Sequence, residues 1–220
     1  MSQQLVAVWN WKLVLVSFSI ALLGSFTTLL QVDFAVMTPV SNERNVAVVG
    51  AALTMSISAI WSMHFTGMLA MDLPGVHVRY SAFRTFVSAA VAALFCLVGV
   101  AITVRLTRLR REGSKFCSPA DALRELIKAG AFSGAGVAAM HFIGMYGMIM
   151  PTVQMRYDPL LVIVSVVIAF VAATAAFGIF HYGSGTLHEQ LVSSLVLAAA
   201  VCSMHYTGMH DDVFSFSFKN

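Results

Sequence analysis

Three short stretches of the sequence place a histidine among methionines with the same spacing. They read M-H-aromatic-T/I-G-M and span Met63–Met68, Met140–Met145 and Met204–Met209. Imidazole nitrogen and thioether sulfur are both metal ligands, and together they favour copper. If the three stretches converge in the fold, three histidines and three methionines surround one cavity.

Helix geometry defines which residues of each copy act together. A residue four positions further on lies on the same face, one turn away, and the seventh position points in nearly the same direction. The predicted metal ligands are therefore His64, Met68, His141, Met145, His205 and Met209. Further candidate ligands are Met63, Met140, Met204, Met71, Met148 and Asp212.

A glycine follows each histidine by three residues, at Gly67, Gly144 and Gly208. It leaves a gap beside the ligand stripe, where a neighbouring helix or a small ligand could approach closely. We expect these glycines to provide ligand access.

The methionines have a simpler interpretation as well. Methionine is a flexible gap-filler, so the 13 methionines of the chain could be packing residues. The histidines differ, because ionisable residues within apolar spans are rare and usually functional. Zinc sites prefer Cys, His and carboxylate, so the donor set predicts copper, with thioethers favouring Cu(I).

The segments that carry these residues are long and apolar. Of 220 residues, 59% are hydrophobic and 10% charged, and the mean hydropathy is +0.83, whereas soluble domains have about a quarter of their residues charged. A helix that crosses a membrane needs roughly 20 mostly apolar residues. Six stretches qualify, at approximately 11–31, 46–71, 83–105, 124–149, 159–181 and 190–209.

These stretches predict an all-α fold, a polytopic transmembrane bundle with six visible helices. They do not alternate as lipid-spanning strands do. The start of the first one has only Lys12 as a basic residue, and no cleavage site of a signal peptide follows it. The three histidine motifs fall near the C-terminal ends of the second, fourth and sixth helices, one helical hairpin apart.

The strongest basic cluster lies in the predicted loop 105–123. It contains Arg105, Arg108, Arg110, Arg111 and Lys115 against Glu112. The positive-inside rule places this loop in the cytoplasm, and the motifs then lie near the outer face. We expect no nucleic-acid partner, because the basic run is short, has no aromatic residues between its charges and lies beside lipid.

At these residues the sequence resembles the MHYT family of bacterial integral membrane sensors, over about residues 10–210. The third copy, Met204-His205-Tyr206-Thr207, spells the family name. The resemblance implies a seven-helix sensor of the bacterial cytoplasmic membrane, whose motif residues bind copper and, through it, oxygen, carbon monoxide or nitric oxide. It also implies a cytoplasmic output, as a fused diguanylate cyclase, phosphodiesterase or histidine kinase, or as a separate signalling partner.

The chain departs from the family pattern in two ways. Six helices are visible instead of seven, so the expected organisation is an N-terminal tail 1–10, a sensor domain 11–210 with three hairpin repeats and a C-terminal tail 211–220. With an even helix count, either the chain is truncated before a seventh helix or it acts through partners. Asp212 also stands where the other copies have Met71 and Met148, and an oxygen ligand there would favour Cu(II).

Three functions fit the pattern to different degrees. A sensor is favoured, and its oligomeric state is left open. A copper or proton transporter would need ligands at several depths, but here they cluster at one end. A haem or copper redox protein could use axial His or Met, but no catalytic constellation accompanies them, so we expect no enzymatic activity in this chain.

Overall fold

A computed structural model of the protein describes residues 4–5, 7–113, 118–150, 153–154, 157–183, 185–209 and 214–216. Six helices in these residues are long and apolar enough to cross a membrane. They are α1 Trp11–Met37, α2 Ser41–Ala70, α3 Ala82–Arg111, α4 Pro119–Tyr146, α5 Pro159–Tyr182 and α6 Leu187–Met209. The predicted all-α transmembrane bundle is thus confirmed, and the chain is a multi-pass membrane protein.

Several helices extend beyond the apolar stretches that predicted them. α1 continues six residues past residue 31 to Met37, and α3 continues through its terminal arginines to Arg111. Hydropathy marks only the part of a helix that lipid covers, whereas backbone hydrogen bonding carries the helix on into the polar layer.

The starts of the odd-numbered helices are fixed by side-chain caps. The side chain of Asn10 accepts from the backbone N–H of Lys12, that of Ser81 from Arg84, and that of Asp158 from Leu160. Such caps satisfy backbone N–H groups that have no partner inside the helix.

Short strands join the helices into three similar units, which the sequence did not predict. Seven strands are described: β1 Gln4–Leu5, β2 Val8–Trp9, β3 Met71–Asp72, β4 Arg79–Tyr80, β5 Met148–Ile149, β6 Val153–Gln154 and β7 Phe214–Phe216. The strand before each odd helix pairs antiparallel with the strand after the next even helix, as β2 with β3, β4 with β5 and β6 with β7. Each unit is therefore strand–helix–helix–strand, and β1 adds to β7.

All of these strands lie at one end of the bundle, which we call the capped end. The even helices finish there and the odd helices begin there. The segment predicted as an N-terminal tail is thus partly ordered by strand pairing, as are the segments that join even helices to odd helices. The C-terminal tail, apart from Phe214–Phe216, lies outside the described residues.

The second helix differs from its counterparts by a π-helical segment, Thr54–Trp61, between two α-helical parts. The Ser62 hydroxyl donates to the Ile57 carbonyl, five residues earlier. The backbone of α1 lies directly against this segment at Gly24, where a Cβ would come within 2.7 Å of the Ala59 nitrogen. α4 and α6 carry no such segment, so π-helical turns, which often mark functional sites, occur in the first unit alone among the described helices.

Candidate metal centre

His64, His141 and His205 meet from three different helices, α2, α4 and α6. The Nδ1 atoms lie 3.1 Å apart for His64 and His205, 3.3 Å for His64 and His141, and 3.2 Å for His141 and His205. All three side chains are fully buried. Their ring planes are inclined at 85° to 88° to one another, so the three rings are nearly perpendicular around a common axis.

The three Nδ1 atoms cannot all be satisfied by hydrogen bonds among themselves. A neutral imidazole nitrogen carries either a proton or a lone pair, so it either donates or accepts. Of three such nitrogens at least two are alike, and at least one of the three contacts therefore joins two donors or two acceptors. A buried polar atom without a complementary partner is costly, and a cation between three lone pairs would remove that cost.

The size of the nitrogen triangle suits a metal ion. Its centre lies about 1.8 Å from each Nδ1 atom, close to the roughly 2.0 Å of a zinc–imidazole bond. A small outward shift of the rings would accommodate a first-row ion. Within the described residues, these three histidines are the group of His, Cys, Asp and Glu side chains close enough to hold a metal.

The motif glycines hold the histidine rings in place. A Cβ on Gly144 would lie 2.5 Å from Nε2 of His64, one on Gly208 would lie 2.8 Å from Nε2 of His141, and one on Gly67 would lie 2.4 Å from Nε2 of His205. The contacts run in a cycle, because the glycine of each even helix faces the histidine of another. The gap beside each glycine was predicted as ligand access, but an imidazole of a neighbouring helix fills it.

With Nε2 turned towards a glycine, each ring points Nδ1 at the shared axis. The three Nε2 atoms are buried, and no hydrogen-bond partner is described for them. A ring that coordinates through Nδ1 carries its proton on Nε2. The glycine cradle therefore selects which nitrogen of each histidine is offered to a ligand.

The methionines of the motifs divide into two groups. Met63, Met140 and Met204, just before the histidines, are fully buried in the main core of the bundle. The other described candidates lie on the capped side and form a second cluster with Leu73, which we call the methionine cap. Its methionines are Met68, Met71, Met145, Met148 and Met209.

The methionine cap puts thioether sulfur on the same side of the bundle as the ends of the histidine helices. Partly buried side chains from the strands and loops, including Trp9 and Tyr80, pack against it. A soft, apolar cover of this kind limits the access of water to the histidines. Asp212, the remaining candidate ligand, lies outside the described residues.

Comparison with known families identifies the repeated unit. The MHYT family, described as a bacterial signalling protein N-terminal repeat, matches residues 58–113 and 134–193, which is more than half of the chain. The chain belongs to the MHYT family. The family relationship predicted from the motifs is therefore confirmed.

Individual relatives of this MHYT chain are bacterial signalling proteins. It is 33% identical over 211 residues to the bifunctional diguanylate cyclase/cyclic di-GMP phosphodiesterase MucR of Pseudomonas aeruginosa. The aligned region covers 93% of this chain and 28% of MucR. It is 32% identical over 203 residues to the cyclic di-GMP phosphodiesterase NbdA of the same organism, covering 90% of this chain and 24% of NbdA. Identity to the signaling protein YkoW of Bacillus subtilis is 28% over 209 residues, covering 91% and 24%.

The chain thus spans about a quarter of the length of these curated relatives. No solved structure matches it.

The aromatic residue of each MHYT motif packs edge-on against its own histidine. The ring centroids are 4.8 Å apart for His64 and Phe65, 4.9 Å for His141 and Phe142, and 4.8 Å for His205 and Tyr206. Tyr206 also hydrogen-bonds to Ser17 of α1 at 2.8 Å. The motif aromatics are therefore direct neighbours of the three histidines.

A second set of aromatics, which the motifs did not predict, packs against the first. Tyr80 lies 5.5 Å from Phe65, Tyr157 lies 6.0 Å from Phe142, and Trp9 lies 5.4 Å from Tyr206, measured between ring centroids. Burial raises the pKa of Tyr80 above its ordinary value.

The signal for this second set was present in the sequence. Each of the three aromatics stands two residues before an odd helix and directly before its capping residue, as Trp9-Asn10, Tyr80-Ser81 and Tyr157-Asp158. The repeat therefore has two parts, one at the end of each even helix and one at the start of each odd helix.

Proposed function

We propose that this chain is a membrane-embedded sensory domain in which His64, His141 and His205 hold one copper ion through Nδ1. The observation that carries the proposal is the triangle of buried Nδ1 atoms, 3.1–3.3 Å apart, which hydrogen bonds alone leave unsatisfied. The histidines come from separate helices, so any change in the ligands of the ion acts on all three units of the bundle at once.

The surroundings of the triangle favour copper over other groups. Zinc also accepts three histidines, but five buried methionines around the capped end provide the soft thioethers that suit Cu(I). A haem between two of these histidines is disfavoured, because contacts near 3.2 Å leave no room for a macrocycle between their nitrogens. We assign Met68, Met145 and Met209 as outer ligands or close neighbours of the ion, one turn after each histidine.

His64, His141 and His205 would hold the copper ion, and the bound copper would supply the position that takes a diatomic gas such as oxygen, carbon monoxide or nitric oxide. The protein's own residues create the conditions for that binding. The glycines fix the rings with Nδ1 inward, the aromatics brace them from the side, and the methionine cap keeps bulk water away.

The capped end is assigned to the outer face of the bacterial cytoplasmic membrane. Arg44, Arg105, Arg108, Arg110 and Arg111 all lie at the opposite end of the bundle. Short cytoplasmic segments carry an excess of Lys and Arg, so the metal centre faces outward and the arginine-rich end faces the cytoplasm.

The signal is inferred to reach a cytoplasmic output that regulates cyclic di-GMP or a kinase. Two relatives are named for making or degrading cyclic di-GMP, and this chain aligns with about a quarter of each. Their enzymatic activity is therefore assigned to the rest of those proteins, and no catalytic role is assigned to this chain. A ligand can drive such an output only by binding one arrangement of the helices more tightly than another.

Infrared spectroscopy of carbon monoxide bound to the purified, Cu(I)-loaded chain tests this function. We expect a copper–carbonyl band in the unaltered protein and no band in the His64→Ala/His141→Ala/His205→Ala variant. His181→Ala is the matched control, because His181 is also a buried histidine but lies at the other end of the bundle, against Thr107. A band that survives in the triple variant, or is absent from all three proteins, would contradict the proposal.

A further inference from the structure

A cleft opens between α2 and α3 at the end of the bundle opposite the histidines. Its volume is about 330 Å³. Arg44, in the first turn of α2, forms one side, and Arg105 and Arg108, near the end of α3, form the other. The cleft is separate from the metal centre, since Arg44 and His64 lie near opposite ends of the same spanning helix.

The charges of this arginine cleft are only partly compensated. Arg108 pairs with Glu112 at 3.0 Å, and Glu112 is the acidic residue that lines the cleft. Among the described residues, neither Arg44 nor Arg105 makes an ion pair. Two positive charges therefore line the cleft with no acidic partner in the described part of the chain.

The polarity of the cleft changes along the helix axes. Val48 lies one turn deeper into the bundle than Arg44 on α2, and Val104 lies one turn deeper than Arg108 on α3. Both helices thus place arginines at the mouth and apolar side chains below them. A ligand that matches this gradient has an anionic group joined to an apolar chain.

We propose that the arginine cleft binds an anionic glycerophospholipid, with its phosphate between Arg44 and Arg105 and an acyl chain along Val48 and Val104. Guanidinium groups bind phosphate oxygens in a bidentate manner, and basic pockets between spanning helices are suited to lipid headgroups. A free phosphate shares the arginine contacts but leaves the apolar part of the cleft uncovered. The proposal does not depend on the metal centre or on its ligand.

Native mass spectrometry of the full chain in detergent tests the proposal, with phosphatidylglycerol, phosphatidylcholine and inorganic phosphate as separate probes. We expect the unaltered chain to retain one phosphatidylglycerol far more strongly than phosphatidylcholine. Each arginine near an anionic lipid strengthens binding by about fivefold, so Arg44→Gln/Arg105→Gln should weaken retention by about 25-fold. Arg124→Gln is the matched control, because Arg124 lies at the same end, is exposed and does not line the cleft.

A variant with the opposite effect keeps the test independent of folding defects. Glu112→Gln releases Arg108 from its ion pair and should tighten the binding of phosphatidylglycerol. Equal retention by the double variant and the control would overturn the proposal, as would no tightening in Glu112→Gln. Equal retention of phosphatidylcholine, or an equal affinity for inorganic phosphate, would overturn the assignment to an anionic lipid.

Discussion

The two ends of the bundle differ in how closely the three units repeat one another. At the capped end the three units agree residue by residue: each supplies a histidine, a glycine that holds another unit's histidine, a motif aromatic and a second aromatic before the capping residue. At the arginine-rich end the units differ. The link from α1 to α2 is only Thr38–Val40, whereas α3 and α4 are separated by residues 112–118.

Two contacts between units at the arginine-rich end are also not repeated. Arg111 pairs with Asp33 at 3.1 Å, which joins α3 to α1. The Arg110 side chain caps the C-terminal end of α5, because it donates hydrogen bonds to the carbonyls of His181, Tyr182 and Gly183. Neither contact has a counterpart in the other two units within the described residues.

The difference shows which part of the fold is constrained by symmetry. The copper site that we propose would need one equivalent donor from every unit, which accounts for the repetition of the motif at the capped end. At the opposite end, the described residues include no comparable cluster of potential metal ligands from all three units, and the helix connections there differ in length.

The largest expected effect comes from filling one glycine cradle. In Gly144→Ala the new Cβ would lie 2.5 Å from Nε2 of His64, so the ring must leave its position. We expect most of the bound copper to be lost, together with about 1–3 kcal/mol of stability, as is usual for overpacking. Metal analysis and thermal unfolding in detergent measure the two effects.

Gly178→Ala is the control for this prediction. It adds the same methyl group to a spanning helix where no atom lies within 4 Å, so copper content and stability should be preserved. Equal copper in Gly144→Ala would show that the cradle does not position His64.

For a substitution at the arginine-rich end we expect the reverse pattern, a loss of stability without a loss of bound copper. Arg110→Gln removes charged hydrogen bonds to the end of α5, which should cost about 2 kcal/mol. Copper content should be unchanged, because the histidines lie at the other end. Arg124→Gln, which removes an exposed ion pair with Asp121, should leave the melting temperature unchanged. A loss of copper in Arg110→Gln would mean that this contact is needed to hold the histidines in place.

The methionine cap predicts an effect on affinity without a large effect on folding. Met68→Leu/Met145→Leu/Met209→Leu keeps apolar volume but removes the thioethers, and the affinity for Cu(I) should fall by about tenfold, as expected for groups close to a metal. Competition with a Cu(I) chelator measures this change. The matched control is Met63→Leu/Met140→Leu/Met204→Leu in the main core. Equal Cu(I) affinities in the two variants would show that the thioethers of the methionine cap do not contribute to copper binding.

The smallest expected effect concerns the one motif aromatic that carries a hydroxyl. Tyr206→Phe makes the third copy resemble the other two and removes the hydrogen bond to Ser17. Because Ser17 also donates to the Val14 carbonyl, the loss should be about 0.5–1 kcal/mol, with copper content retained. A thermal shift as large as that of Gly144→Ala would assign Tyr206 a larger structural role.

Hydropathy and the spacing of His64, His141 and His205 were sufficient to predict the six helices and the residues that meet. Long apolar segments have few alternatives in a membrane, and a histidine at the same place in three alternate helices points to one shared site. The sequence also predicted that something would approach the motif glycines closely.

Other features depend on contacts between segments and were not predicted. Strand pairs such as Trp9 with Met71 form between segments too short and irregular to show a strand pattern. The filling of the Gly67 gap by His205 depends on how the helices rotate against each other, which a stripe on a single helix does not determine. The separation of Met63 from Met68 into different clusters has the same origin.

Metal analysis of the purified full chain tests the central claim most directly. We predict a single copper ion per chain in the unaltered protein and in His181→Ala, and none in His64→Ala/His141→Ala/His205→Ala. Equal copper in the triple variant, or zinc or haem in place of copper in the unaltered protein, would contradict it.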